Sequence, residues 1–309
     1  MTEDIAIRTE NLSKTFGRGT KAVEAVKNLD LTVESGQVYG FLGPNGAGKS
    51  TTIRMIVDLV HPTNGTAFLY GQGVREHREV LKRVSAMVET PDFYEFLSAR
   101  RNLEVLARSA NDFNVSQIDQ ALEQVGLTEN AGRRVTEYST GMKQRLGVAS
   151  TLLTDPDLIV LDEPTNGLDP IGIQEMRGLI RSLVENNNKT VFLSSHILHE
   201  VEQVCDRVAI INNGACVQEG AVSELLGSSH RGLRLQATPL ENAASSLREK
   251  WAVTVEDGWL TVVAQSEEAP AIIRRLVDQD IEIHQVVARR QTLEELFLEA
   301  TDSKNEEST

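Results

Sequence analysis

A glycine-rich segment has the residue types and spacing of a loop that binds phosphate. Residues 43–50 read Gly-Pro-Asn-Gly-Ala-Gly-Lys-Ser and fit the pattern GxxxxGK[ST]. The glycines permit backbone turns in which successive N–H groups converge on phosphate oxygens. Lys49 is placed to contact the β- and γ-phosphates, and the Ser50 hydroxyl is placed to ligate Mg²⁺. The predicted nucleotide contacts are consecutive: Gly43, Pro44, Asn45, Gly46, Ala47, Gly48, Lys49, Ser50 and Thr51.

A second candidate site is a pair of carboxylates that follows a short apolar run. Residues 158–161 are Leu-Ile-Val-Leu, and Asp162 and Glu163 come next. In ATPases with such a phosphate loop, an Asp at this place holds Mg²⁺ through water. The adjacent Glu163 is placed to polarise the attacking water as a general base. Two acidic residues that merely end a strand are the alternative, and the upstream phosphate loop favours the catalytic interpretation.

Apolar periodicity predicts the elements that position these residues. A strand over residues 38–42 leads into the phosphate loop, and a helix over 50–60 follows it, so the helix N-terminus faces the same anion. Residues 158–161 and 190–193 have the composition of buried parallel strands, with a helix between them. Shorter alternating strands precede residue 38, and residues from about 91 to 153 predict an inserted helical lobe. The expected fold is an α/β core with a parallel sheet, an antiparallel β lobe and a helical lobe.

The chain changes character after residue 227. Small and polar residues over 228–232 predict a linker that ends a domain over residues 1–227. Residues 233–300 show a βαββαβ order, which predicts a small α+β module of ferredoxin-like type. Its last helix is expected to begin with a capping box at Thr292. Residues 301–309 are polar, and we expect a frayed tail there.

Composition restricts the classes of function. The 309 residues are 40% hydrophobic and 25% charged, as in ordinary soluble globular proteins. No apolar run approaches the roughly 18–20 residues of a membrane-spanning helix, and the acidic N-terminus lacks the pattern of a signal peptide. The two cysteines, Cys205 and Cys216, have no metal-ligand spacing and fit a reduced compartment. A formal charge of −14 argues against general binding to nucleic acid.

Further motifs resemble those of the nucleotide-binding subunits of ABC transporters. Residues 138–145, Tyr-Ser-Thr-Gly-Met-Lys-Gln-Arg, are similar to the signature motif LSGGQ of that family. Residues 162–170 resemble the extended Walker B motif and D-loop, which places Asp169 in the D-loop. His196, in Ser-Ser-His, matches the switch histidine, and Phe16 matches the aromatic residue that stacks on adenine. The resemblance extends from residue 5 to about residue 226.

The resemblance implies a mechanism that needs two copies of the chain. Two copies would close head to tail, with ATP between the phosphate loop of one copy and the signature motif of the other. Ser139 and Gly141 would contact the γ-phosphate, while Thr140 and Met142 replace the usual Gly and Gln. Separation after hydrolysis would move a separate integral-membrane subunit. A peripheral location on the cytoplasmic face of the membrane is implied.

Glu89 departs from the family pattern. After the strand over residues 84–88 the family normally has a Gln, whose amide contacts Mg²⁺ and water and relays to the membrane domain. Glu89 accepts hydrogen bonds from metal-bound water but cannot donate one, and its charge adds to those of Asp162 and Glu163. It is therefore a further candidate metal ligand. The alternative is a shifted loop in which Glu89 is merely exposed.

The C-terminal residues bear on the direction of transport. Residues 289–301 resemble the last helix of drug- and antibiotic-export ATPases, as does a Glu at position 89. This resemblance favours an exporter of a drug, an antibiotic or a lipid-like compound. An importer subunit and a soluble ABC ATPase without a transport role remain open. The predicted catalytic residues Lys49, Glu163 and His196, together with Asp162, argue against an inactive module. Downstream of the switch histidine, His199 and Glu200 are expected on a solvated helix face.

Overall fold

A computed structural model describes residues 4–89, 92–109, 115–226, 230–264, 266–290 and 292–298. The chain divides into two compact units, Met1–Ala221 and Val222–Thr309. The division comes a few residues before the boundary expected after residue 227, because the short helix that follows Ala221 belongs to the second unit. Part of the expected helical lobe over 91–153 lies outside the described residues. The whole of the expected tail over 301–309 lies outside them as well.

The first unit is built from two sheets and a set of helices. Its strands are β1 (Ile5–Phe16), β2 (Val23–Glu34), β3 (Val38–Leu42), β4 (Asn64–Leu69), β5 (Gln72–Gly73), β6 (Val84–Met87), β7 (Leu158–Asp162), β8 (Thr190–Ser195), β9 (Arg207–Asn212) and β10 (Ala215–Ala221). Its helices are α1 (Lys49–Ile56), α2 (Ala99–Ser109), α3 (Val115–Gln124), α4 (Thr140–Leu152), α5 (Pro170–Glu185) and α6 (Leu198–Glu202).

The six-stranded sheet fixes the place of the candidate site. Its strand order is β10-β9-β3-β8-β7-β6, and every pair from β9 to β6 is parallel. Every residue of β3, β7 and β8 is buried, as apolar runs in the middle of a covered parallel sheet require. Because parallel strands end at one edge, the segments after β3, β7 and β8 emerge side by side. The predicted parallel core is confirmed.

The second sheet of this unit is antiparallel, with the order β2-β1-β4-β5. Together with α1 it packs on the parallel sheet around one apolar core. Tyr39 and Phe41 of β3 meet Phe192 of β8 in this core, at ring-centroid distances of 5.7 Å and 5.5 Å. Helices α2, α3 and α4 contact one another and form the helical lobe. The expected antiparallel and helical lobes are thus present.

The second unit has the predicted ferredoxin-like topology. Its antiparallel sheet has the order β12-β13-β11-β14, and its core includes Leu235, Leu260 and Ile272, all fully buried. Its strands are β11 (His230–Thr238), β12 (Ala252–Glu256), β13 (Trp259–Val263) and β14 (Glu282–Arg290). Its helices are α7 (Val222–Leu225), α8 (Leu240–Arg248), α9 (Ala269–Val277) and α10, over residues 293–298.

Part of the expected linker over 228–232 is a strand instead. His230 begins β11, and both His230 and Gly232 pair with β14 across a register shift between them. A Cβ atom on Gly232 would lie 2.5 Å from the carbonyl oxygen of Val262. The glycine that suggested a loop is thus required by the close approach of a neighbouring strand. Residues 227–229 lie outside the described part of the chain. At the other end, Thr292 accepts the predicted capping bond, from the N–H of Glu295.

Among the described residues, no helix is both long enough and apolar enough to cross a membrane.

Two glycines test how tightly α6 packs on the central sheet. A Cβ on Gly40 of β3 would lie 2.6 Å from Val201 Cγ1 and 2.9 Å from Cys205 Sγ. We expect Gly40→Ala to lower the free energy of unfolding by about 1–3 kcal/mol through overpacking. Gly178→Ala is the control, because this exposed site in α5 has nothing within 4 Å of the added Cβ and should gain about 0.5–1 kcal/mol. Urea unfolding of the full chain measures both, and equal effects would contradict the packing.

Candidate functional site

The glycine-rich loop folds tightly between β3 and α1. Gly48, the N-cap of α1, has φ 106°, which favours glycine. A Cβ on Gly48 would lie 2.4 Å from the carbonyl oxygen of Ala25, and one on Gly43 equally close to that of Ile211. Gly46 also has a positive φ, of 82°, with open space around it. The loop therefore has the cramped inner side and open outer side of a cradle for an anion at a helix N-terminus.

A carboxylate connects the loop to the ends of two neighbouring strands. Lys49 is 5% exposed, and its Nζ donates to the carbonyl oxygens of Gly43, at 2.8 Å, and Pro44, at 3.3 Å. The same Nζ lies 3.1 Å from Glu163 Oε1. The other oxygen of this carboxylate, Oε2, lies 2.7 Å from His196 Nδ1. The structure thus brings together all three residues predicted to be catalytic.

Ser194, which the sequence analysis did not single out, positions both acidic residues. Its hydroxyl donates to Asp162 Oδ1 at 2.5 Å and accepts from the N–H of Glu163 at 3.0 Å. Ser194 is fully buried at the end of β8, where β8 pairs with β7 at Asp162. Glu163 itself has φ 51°, a left-handed conformation uncommon for a residue with a side chain. The signal in the sequence was the serine two places before His196.

Lys49, Glu163 and His196 border a cleft of about 360 Å³. Two lining residues, Ala25 and Asn166, were not predicted. Asp162 is 6% exposed and is not one of the residues that line the cleft. No group of three or more His, Cys, Asp or Glu side chains in the described part of the chain has the arrangement of a metal site. The lining residues are Ala25, Asn45, Gly46, Gly48, Lys49, Ser50, Thr51, Glu163, Asn166 and His196.

Three of the four predicted signature residues and the D-loop residue Asp169 line a different cleft, of about 340 Å³, which Met142 does not line. Ser139 is the N-cap of α4 and accepts from the N–H of Met142 at 3.3 Å. Asp169 is the N-cap of α5 and accepts from the N–H of Gly172 at 2.8 Å. Thr140 and Gly141 line this cleft too, which shares no lining residue with the first. One copy of the chain therefore does not bring its signature residues to Lys49.

Phe16 and Glu89 also lie outside the Lys49 cleft. Phe16 ends β1 with 45% of its surface exposed, and Lys14 Nζ lies 5.1 Å from the centre of its ring. Glu89 follows β6 in a left-handed conformation, with φ 74°. Its side chain is 68% exposed and forms an ion pair with Arg54 of α1. The carboxylate thus faces the helix of the phosphate loop from outside the cleft.

The expectation of a solvated face after the switch histidine is half wrong. The His199 side chain is 72% exposed, but Glu200 is only 8% exposed. In the five-residue helix α6, Glu200 shares the inner face with Val201, which packs on β3 at Gly40. Cys205 is also buried next to this helix, and burial, followed by the nearby Asp206 carboxylate, raises the pKa of its thiol. It is therefore a packing residue.

Residues 26–166 match the ABC transporter family. The chain is 38% identical over 297 residues to a bacitracin transport ATP-binding protein of Bacillus licheniformis, with 94% of this chain and 96% of the relative covered. It is 39% identical over 213 residues to a lantibiotic transport ATP-binding protein of Streptococcus pyogenes, with 69% of this chain and 90% of the relative covered.

Solved structures show the same fold. A dimeric ATP-binding cassette in a post-hydrolysis state, bound to ADP and Pi, has a TM-score of 0.63 at 23% identity, and the match covers 70% of this chain and 99% of that one. An ABC transporter component from Clostridium perfringens has a TM-score of 0.65 at 23% identity, with 72% and 91% covered. The phosphate loop, the paired carboxylates and these likenesses agree: the chain belongs to the ABC transporter family, as one of its ATP-binding and ATP-hydrolysing subunits.

Proposed function

We propose that this chain powers an ABC exporter, binding ATP in the Lys49 cleft and acting on a separate membrane subunit as an ATP-dependent dimer. The observation that carries the proposal is the Glu163 carboxylate, held between Lys49 Nζ at 3.1 Å and His196 Nδ1 at 2.7 Å beside the glycine-rich loop. This arrangement combines a cation for phosphate with a positioned general base.

The residues of the cleft fit ATP and Mg²⁺. The backbone N–H groups of the loop and the buried ammonium of Lys49 bind the phosphate oxygens. The Ser50 hydroxyl and the Asp162 carboxylate are oxygen donors of the kind that Mg²⁺ prefers, although Asp162 is 6% exposed and would act through water. When bound, Mg²⁺ neutralises charge on the phosphates.

Hydrolysis follows from the placement of Glu163. Its carboxylate accepts a proton from a water molecule as that water bonds to the γ-phosphorus. The bond from the γ-phosphorus to the bridging oxygen breaks, giving ADP and phosphate. His196 Nδ1 holds one carboxylate oxygen, at 2.7 Å, and so keeps the other directed toward Lys49 and the phosphates. Phe16, exposed at the end of β1, offers a ring face for adenine.

The separate signature cleft supports a dimer. Ser139 and Thr140 are exposed, and Gly141 is partly exposed, at the N-terminus of the 13-residue helix α4. Such a helix end attracts anions. In the same copy of the chain, however, Lys49 lines another cleft. A second copy in head-to-tail orientation would place these residues against the γ-phosphate. Asp169, which caps α5 beside them, would lie in the same contact.

The relatives suggest the cargo. One is a bacitracin transport protein and another a lantibiotic transport protein. The first covers 94% of this chain, which includes most of the ferredoxin-like unit. We therefore propose a peptide antibiotic or a similar amphipathic compound as the cargo. The chain would lie on the cytoplasmic face of the membrane, held there by its membrane subunit.

Replacing the general base should separate binding from hydrolysis. Glu163→Gln keeps the side-chain shape but removes the charge between Lys49 and His196. We expect phosphate release to fall by about 100-fold or more, while ATP and Mg²⁺ convert the variant into a stable dimer. Phosphate assays and light scattering after gel filtration measure the two effects. Glu185→Gln, at the exposed end of α5, is the control. A monomer with full turnover would contradict the role of Glu163.

Glu89 offers a second test, of coupling. Because its carboxylate pairs with Arg54 outside the cleft, Glu89→Gln should leave ATP affinity unchanged within about two-fold but change turnover or transport by more than that. The exposed pair of Arg8 and Glu10 provides the control Glu10→Gln. ATPase and transport assays in vesicles make the comparison. Wild-type values for both in Glu89→Gln would show that the position has no role in coupling.

The transport role predicts a partner in the membrane. Affinity purification of the full chain from detergent-solubilised membranes should also recover a polytopic protein. The ratio of the two proteins in the complex gives the stoichiometry. If the chain elutes alone after the membranes are removed, the exporter proposal fails even if ATP hydrolysis is intact.

A further inference from the structure

A buried carboxylate lies close to the catalytic histidine without an assigned task. Glu200, in α6, is 8% exposed. Its Oε2 atom is fully buried and has no hydrogen-bond partner in the described part of the chain. An unpartnered buried carboxylate oxygen is strongly unfavourable, so a group that satisfies it is expected.

A matching donor lies on the neighbouring helix. Arg177 of α5 has an Nε atom that is likewise buried and without a partner among the described residues. Glu200 and Arg177 both line one small cavity, of about 10 Å³. This is the lower limit of the volume that one water molecule needs, and such a molecule requires polar partners. The wall of the cavity is otherwise mostly apolar, so Arg177 Nε and Glu200 Oε2 are the partners on which the water depends. A water that accepts from Arg177 Nε and donates to Glu200 Oε2 satisfies both groups.

The walls of this cavity come from the catalytic segments. Pro164 directly follows Glu163, and Ser194 and Ser195 directly precede His196; all three line the cavity. The far end of α6 is already fixed to α5, because Arg177 bonds Gln203 and Arg181 donates to the Val204 carbonyl oxygen at 3.2 Å. Glu200 lies about one helical turn nearer to His196.

We propose that Glu200 is a positioning residue for hydrolysis, bridged through water to Arg177. The bridge fixes the first turn of α6 against α5, the helix that Asp169 caps. Since His196 lies two residues before α6, its imidazole is thereby held against Glu163. The inference rests on the role proposed above for His196. The inference adds that α5, the helix that Asp169 caps, and His196 move as one body.

The test replaces the charge but not the shape. Glu200→Gln in the full chain removes the ionic partner of Arg177, so we expect kcat to fall about ten-fold with the KM for ATP within about two-fold. Glu185→Gln makes the same chemical change on the exposed end of α5. Its partner Arg181 keeps its bonds to Asp206 and to the Val204 carbonyl oxygen, so both constants should stay unchanged. Arg177→Lys keeps the positive charge but has no Nε and also loses the bond to Gln203. It should therefore lower kcat at least as far as Glu200→Gln, and Glu200→Gln should add nothing to it in the double variant.

Two further measurements distinguish positioning from a general loss of stability. In single-turnover assays, Glu200→Gln should lower the rate no further when His196→Ala is already present. In the nucleotide-free chain, the His196 ring signal in a proton–carbon NMR spectrum, assigned with His196→Ala, should shift in Glu200→Gln and stay in Glu185→Gln. A high-resolution crystal structure should show the water in the cavity.

The outcomes are distinct. A folded Glu200→Gln chain with wild-type kcat and an unmoved His196 signal overturns the inference, as does a rate loss that adds to that of His196→Ala. If His196→Ala by itself hydrolyses ATP at the wild-type rate, the role proposed for His196 fails instead. If Glu200→Gln does not fold, the Arg177→Lys chain and its His196 signal decide in the same way, with Gln203→Ala, which removes the other bond of Arg177, as the control.

Discussion

The contact of one carboxylate with a lysine and a histidine depends on most of the first unit. Glu163 meets Lys49 with one oxygen and His196 with the other, and the three residues follow three different strands, β3, β7 and β8. They meet because these strands are parallel neighbours whose carboxyl ends share an edge. The burial of the apolar strands, and the ring contacts of Phe192 inside them, are therefore what hold the chemistry in place.

Burial also makes these contacts necessary. Lys49 is 5% exposed, and an ammonium group removed from water needs partners close by. The loop carbonyl oxygens and Glu163 supply them. The ammonium group of Lys49 is thus held by Glu163 in a place where it can also attract phosphate. The phosphate and Glu163 compete for this one ammonium group. The same requirement applies to Glu200, because a buried carboxylate oxygen also needs a hydrogen-bond partner.

Much of the fold could be predicted from the sequence, because strong local signals mark it. The phosphate loop, the apolar strands and the βαββαβ order depend on short patterns, and the structure has each of them. The direction of single side chains was harder to predict. The burial of Glu200 depends on which face of a five-residue helix meets Gly40. The pairing of Glu89 with Arg54 depends on a left-handed backbone. The Ser194 bonds depend on strand register.

Because the two clefts share no lining residue, the proposed mechanism needs a second copy of the chain. Mixing two variants tests this requirement most directly. Lys49→Met disables one cleft, and Gly141→Asp blocks the other, where an added Cβ would come no closer than 3.9 Å to its own chain. Each variant alone should be inactive. Mixed, they should regain ATP hydrolysis, because mixed dimers contain one intact phosphate loop facing one intact signature. A mixture as inactive as its components, or full hydrolysis by Gly141→Asp alone, would contradict the account.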